Sequence, residues 1–150
     1  MKRVIALLAL AGAVALVAAG CGGGGSKPLS KAEYEKQMGA IGQTLTDSLN
    51  ALGTATSAAK AATSLKNIQT ELRTAADKME AITPPDDVKT EHAQLASGVR
   101  EFGDQLDPVI KKLEGGNLPA LAAVTSLTAL AKIQKASTAI NDKGYNIGSG

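Results

Sequence analysis

The chain of 150 residues contains one cysteine, one histidine, one phenylalanine, two tyrosines and no tryptophan. Each shortage closes a route. One cysteine cannot make an intrachain disulfide, so packing has to hold the fold together. One histidine, with no flanking motif that marks a serine partner, supplies no nucleophile–base–orienter arrangement. No Cys-x-x-Cys-His run is present for covalent haem attachment. The glycine runs at 22–25 and 115–116 lack both the Lys-Ser/Thr signature and the preceding strand of a phosphate loop. Period-two alternation is missing and aromatics are 2 % of the chain, so strands are not expected. The carboxylates Glu33, Glu35, Asp86, Asp87 and Glu91 fall mostly at helix starts, where caps and the helix dipole account for them without acid–base work. The chain is therefore not expected to be an enzyme.

What the chain does have begins at its start. Met1-Lys2-Arg3 is a short positive segment, and Val4 to Ala19 is an uncharged run of 16 residues. That run is shorter than the roughly 20 residues a membrane-spanning helix needs. Ala18, Ala19 and Gly20 are small residues just before Cys21, and positive start, apolar core and small residues together read as an export signal helix cleaved before Cys21.

The stretch Val17-Ala18-Ala19-Gly20-Cys21 resembles the lipobox of bacterial lipoproteins, with Ala18 standing where that family prefers leucine. The resemblance implies that residues 1–20 are removed as a signal peptide. It further implies that Cys21 becomes the N-terminus, carrying thioether-linked diacylglycerol and fatty acyl chains. The protein would then be anchored on the outer face of the bacterial cytoplasmic membrane, within the cell envelope, with an envelope protein as its possible partner. Lys2 and Arg3 leave with the signal, so the 16 basic residues become 14, matching the 14 acidic ones. A neutral body has no electrostatic attraction for phosphate backbones, and no nucleic-acid partner is expected.

After Cys21 the glycines, Ser26, Lys27 and Pro28 form a flexible tether, residues 21–29, whose r.m.s. reach over about 8 residues is about 16 Å. Ser30 then opens helix one, with Glu33 completing a capping box and Leu29 stapled against Tyr34. Tyr34, Met38, Ile41, Leu45, Leu49 and Leu52 lie on one helical face, and Gly53 marks a stop. Helix two carries Leu65, Ile68, Leu72, Ala75, Met79 and Ile82 in alternating steps of three and four. Its start is set by Ser57 or Thr63 and its end by Pro84-Pro85. Helix three, capped by Asp86 or Asp87, runs Val88, His92, Leu95, Val99, Phe102, Leu106, Ile110 and Leu113. Pro108 kinks it or restarts it with Asp107 as cap. Gly115 and Gly116 end it, and Asn117 with Pro119 opens helix four, which buries Leu121, Val124, Leu127, Leu130, Ile133 and Ile140. Gly144 serves as its left-handed cap, with Tyr145 folding back on the last turn and residues 145–150 forming a flexible tail.

Four amphipathic helices joined by short turns predict an all-α domain at 30–144, an up-down-up-down four-helix bundle. The pattern Pro84, Pro85, Val88, His92, Leu95 resembles alanine-rich helical lipoproteins of actinobacteria, a resemblance that carries no activity with it. Folding the helices back about Pro84-Pro85 and Gly116 sets His92 level with Ala76 to Met79, with Ile140 and Asn141, and with Tyr34 to Met38. One imidazole and two thioethers in a helical bundle suit haem iron or copper, which makes His92, Met38 and Met79 a candidate ligand or metal site. The simpler expectation is that both methionines fill core gaps and that His92 bonds a helix-four polar group such as Ser137 or Asn141, with no cofactor beyond the lipid. The sequence thus points to a lipid-anchored, non-enzymatic binding or scaffolding module.

Overall fold

The computed structural model describes residues 27–52 and 55–148, and for 48–52 the backbone path alone. The expected signal peptide, Cys21 and the glycines of the expected tether lie outside the described residues. So do Gly53, residues 149–150 and the side chains of Leu49 and Leu52. The described chain is all-α: α1 (Lys31–Leu52), α2 (Ala58–Glu80), α3 (Lys89–Gln105), α4 (Asp107–Glu114) and α5 (Thr128–Asp142). Two 3₁₀ segments, Asp86–Val88 and Leu118–Ser126, join them. No helix among the described residues is long and apolar enough to cross a membrane.

Local chemistry sets the helix starts. Ser30 and Glu33 form the capping box in full: the Ser30 backbone N–H donates to Glu33 Oε2 at 3.0 Å and the Glu33 N–H donates to Ser30 Oγ at 3.4 Å. The Ser30 hydroxyl in turn donates to Glu33 Oε2 at 2.6 Å, which holds the Glu33 carboxyl below its ordinary range. Ser57, not Thr63, caps α2 by accepting the Lys60 N–H at 3.3 Å. The predicted stripe of α2 is buried from Leu65 to Met79, and Ala61, Ala62 and Ala76 widen it, letting neighbouring backbones approach.

Helix three departs from expectation at both ends. Neither Asp86 nor Asp87 caps it, because the chain leaves Pro85 through a 3₁₀ turn and enters α3 from Val88, where no side chain accepts an N–H. Asp86 pairs instead with Lys89 at 2.5 Å, and Asp87 takes the Tyr145 hydroxyl at 2.7 Å. At the far end Pro108 does restart the helix: α3 stops at Gln105 and α4 begins at Asp107, with Pro108 in its first turn. Proline has no N–H to continue the ladder and its ring crowds the carbonyl four residues back. Asp107 is not the cap, however. Its Oδ1 accepts from Gln69 Nε2 at 2.7 Å, and the same amide donates to the Gly103 carbonyl at 2.8 Å, so α2 bridges the break.

Helix four is the larger correction. Asn117 makes no capping bond, and residues 118–126 wind as 3₁₀ helix before an extended Leu127 (ψ 131°) starts α5 at Thr128. The spacing explains this. Leu118, Leu121, Val124 and Leu127 recur in strict steps of three, the period of a 3₁₀ turn, which brings i and i+3 into line. The segment packs on α4 with Val124 buried, Leu121 and Leu127 only half-buried and Leu118 exposed. Gly116, at φ +85°, turns the chain back after α4, and Gly144, at φ +87°, ends α5 as expected.

Of the described residues beyond Gly144, 145–147 pack against the helices instead of forming the expected tail. Tyr145 and Ile147 are buried, and the Asn146 N–H donates to Glu35 Oε1 at 2.8 Å. The apolar side chains at alternate positions of an extended segment close the gap beside α1.

Between helices, α1 packs mainly along α2, α2 along α3 and α4, and α5 along α3. Arg73 reaches Asp104 at 3.0 Å and Arg100 reaches Asp77 at 2.7 Å across α2 and α3. Lys132 reaches Glu101 at 3.1 Å and Lys143 reaches Glu91 at 2.7 Å across α5 and α3. In both pairs one number rises as its partner falls, so these neighbours run antiparallel. The order is therefore a row, α1, α2, α3, α5, with α1 at its edge and residues 145–147 drawn across from the end of α5 to meet it.

Candidate functional site

The start of α1, the end of α2, the start of α3 and the end of α5 meet in one layer, and His92 is at its centre. His92 is 4 % exposed and Tyr34 is fully buried. The ring Nε2 lies 2.8 Å from the Met79 carbonyl and Nδ1 lies 3.0 Å from the Tyr34 hydroxyl. A carbonyl only accepts, so Nε2 carries the proton and donates to Met79; Nδ1 then accepts from the Tyr34 O–H. Hydrogen bonding thus fixes the tautomer of the neutral ring, and burial favours that form over the imidazolium. Burial pushes the His92 pKa below the ordinary histidine value, partly offset by the Met79 carbonyl. Burial likewise pushes the Tyr34 hydroxyl far up, helped by Tyr145 and Glu91.

The tail packs against this pair through Tyr145. The Tyr34 and Tyr145 rings meet edge to face with centroids 5.5 Å apart, and Tyr34 meets the His92 ring in the same way at 5.5 Å. Lys31 sits over the Tyr145 ring at 5.6 Å. The hydroxyl of Tyr145 donates to Asp87, which raises its pKa. Glu91 Oε1 accepts from Lys143, and that bond holds the carboxyl below its usual range. The second oxygen, Oε2, is buried with no hydrogen-bond partner.

The expected grouping of His92 with Tyr34 and Met79 is present, but Met79 takes part through its backbone carbonyl. Met38 is buried one turn beyond Tyr34 on the same face of α1, and both methionine side chains belong to the core cluster. Asn141 does not bond His92 as expected; its Oδ1 faces the Ile147 N–H at 3.5 Å. Metal ligation by the imidazole would break either the Tyr34 or the Met79 bond. Among the described residues no group of three or more His, Cys, Asp or Glu side chains is placed to hold a metal.

A groove of about 610 Å³ runs between α1 and α2, floored by Ile41 and Ala75 and rimmed by Gln37, Thr44, Glu71 and Lys78. It ends at Ile82, next to the point where the Leu29 N–H donates to the Thr83 carbonyl at 3.0 Å. Sequence reading missed three contributors. Gln69 had no signal beyond its place beside Ile68; Asn146 and Ile147 sat in a segment whose glycines suggested disorder, although Tyr-x-Ile alternation was there to read. Compared with known proteins, the chain matches no protein-family model, no curated protein and no solved structure.

Proposed function

We propose that the protein is a lipid-anchored, non-enzymatic helical module of the bacterial cell envelope that binds or scaffolds another envelope protein. Anchoring rests on the lipobox-like stretch ending at Cys21, with residues 1–20 as the signal and 21–29 as the tether to an antiparallel helical bundle. The observation that carries the binding role is the α1–α2 groove. Its floor is apolar, its walls are small side chains such as Ala40, Thr74 and Ala81, and it opens on solvent beside the helix that leads from the tether. Small walls let a partner helix approach closely, and the polar rim confers orientation. The non-enzymatic role is favoured because the one histidine spends both nitrogens on bonds inside the fold.

Two experiments test this reading. Incorporation of a clickable fatty acid should occur in the wild-type chain and vanish in Cys21→Ala; equal labelling of both rejects the anchor. A photo-crosslinking residue placed at Ala40 or Thr74 should capture a discrete envelope protein in the lipidated form, while the same residue at Gln94, on the far side of the row, should not. Identical patterns from the groove and the control reject the groove as the binding face.

A further inference from the structure

The joint between α1 and the rest of the molecule is narrow. At the tether end it consists of the Leu29–Thr83 backbone bond, the Tyr34–His92 bond and the contacts of residues 145–147, while α1 is otherwise held mainly by α2. The Tyr34–His92 bond differs from the others in depending on one proton. It exists because Nδ1 has a free lone pair, which in turn requires Nε2–H to be spent on Met79. Protonation at Nδ1 sets an N–H against an O–H. The Tyr34 oxygen can then accept only if its own hydrogen turns toward another acceptor, in a layer filled by the Tyr145 ring and the core.

No charged side chain hydrogen-bonds the imidazole, whose two nitrogens meet the Met79 carbonyl and the Tyr34 hydroxyl. On α2, Glu80 lines the same small cavity as His92 but is held by Arg100 at 2.9 Å. On α3, Lys89 lines that cavity and pairs with Asp86, while Glu91 meets Lys143 through Oε1 alone and keeps a buried, unpartnered Oε2 as an uncommitted charge acting on the Tyr34 hydroxyl. From the tail, the Tyr145 hydroxyl is already donated to Asp87. On α1, Glu35 takes the Asn146 N–H and lies 4.0 Å from Lys31.

We propose that His92 is a proton-operated latch: neutral, it holds the start of α1 and residues 145–147 on the α2–α3 pair, and protonated, it releases that edge and uncovers Met38, Ile41 and Met79. The direction follows from linkage. An unfolded or unlatched histidine binds a proton near pH 6.5, whereas the buried one resists it. The latched form therefore has its full advantage above that pH and loses it as the pH falls toward the lower value of the buried ring. Acidification would expose an apolar strip that neutral pH keeps covered. The inference does not depend on the anchor or on the groove's occupant.

The chain has one histidine, so one resonance reports the switch. The purified full chain is titrated from pH 8 to 4.5 while the His92 Cε1–H shift and amide exchange, corrected for intrinsic rates, are followed together. Through the pH interval in which His92 titrates, protection of residues 31–42 and 145–148 is expected to fall at least tenfold. Protection of Leu65–Leu72 and Leu95–Phe102 should hold. In His92→Gln, whose amide can donate to Met79 and accept from Tyr34 without titrating, the step should vanish. Unchanged protection of α1 while His92 titrates overturns the latch, and so does simultaneous loosening of all helices in the wild-type chain. Persistence of the step in His92→Gln overturns it as well.

Discussion

Tyr34 and His92 are each the fourth residue of their helix, 58 positions apart in the chain, and the hydroxyl of the first donates to Nδ1 of the second at 3.0 Å. The bond ties the first turn of α1 to the first turn of α3 inside a layer that water does not reach. Because a buried acceptor left without its donor carries the whole desolvation cost, Tyr34→Phe is expected to lower stability by about 1–3 kcal/mol with the packing volume nearly unchanged. Urea denaturation at pH 8 should show a lower midpoint at constant slope. A midpoint equal to wild type would mean that the hydroxyl contributes nothing to the layer.

A stop codon after Gly144 removes Tyr145 and Ile147 from the core. Burial of side chains of this size is worth about 1.5–3 kcal/mol each, so truncation should cost about 3 kcal/mol or more. Thermal melts compared with a truncation of residues 149–150 alone provide the control. Equal melting temperatures for the two truncations would show that the segment is not part of the packed fold.

Glycines at different backbone angles should respond oppositely to alanine. Gly144 has φ +87°, where a Cβ is crowded by its own backbone, and Gly144→Ala should destabilise by about 1–2 kcal/mol. Gly39 lies inside α1 with nothing within 4 Å of where its Cβ would stand. Gly39→Ala should therefore stabilise by about 0.5–1 kcal/mol, by removing freedom from the unfolded chain. The pair is measured by the same denaturation, and a shared sign would contradict the assignment of the Gly144 turn.

Gln69 supplies donors to Asp107 and to the Gly103 carbonyl where Pro108 interrupts the helix. Gln69→Leu should cost about 1–3 kcal/mol by removing two hydrogen bonds, one of them to a carboxylate. Lys66→Ala, which deletes only an exposed pair with Glu114, should change stability by less than about 1 kcal/mol. Similar losses in both would argue that the bridge at the break has no special weight. Circular dichroism would report whether α4 frays in the first variant.

Some of the site was legible and some was not, for reasons of range. Ser30 and Glu33 are three residues apart, and their capping box depends on local geometry alone. The eight stripe positions from Val88 to Leu113 are all buried, because helical periodicity identifies a core face without saying what it faces. The partner of His92 needed more. Helices advance 100° per residue, so an error of one or two positions in register exchanges one face for another, and Asn141 points at Ile147 rather than at the imidazole. The 3₁₀ segment was written in steps of three but read as a looser α-helical stripe.

By itself the sequence determined the helical class, the capping at Ser30, an interruption at Pro108, the left-handed turn at Gly144 and the buried faces of helices two and three. These follow from backbone sterics and hydrogen bonds spanning a few residues, which act in any chain that carries them. Only the tertiary structure decided that α1 lies at the edge of a row, that residues 145–147 are drawn onto it, and that His92 spends its two nitrogens on Tyr34 and Met79. Those outcomes depend on which buried polar groups come within about 3 Å of each other when the helices close. Such distances are set by the packing of the helices against one another, and no local pattern of residues contains them.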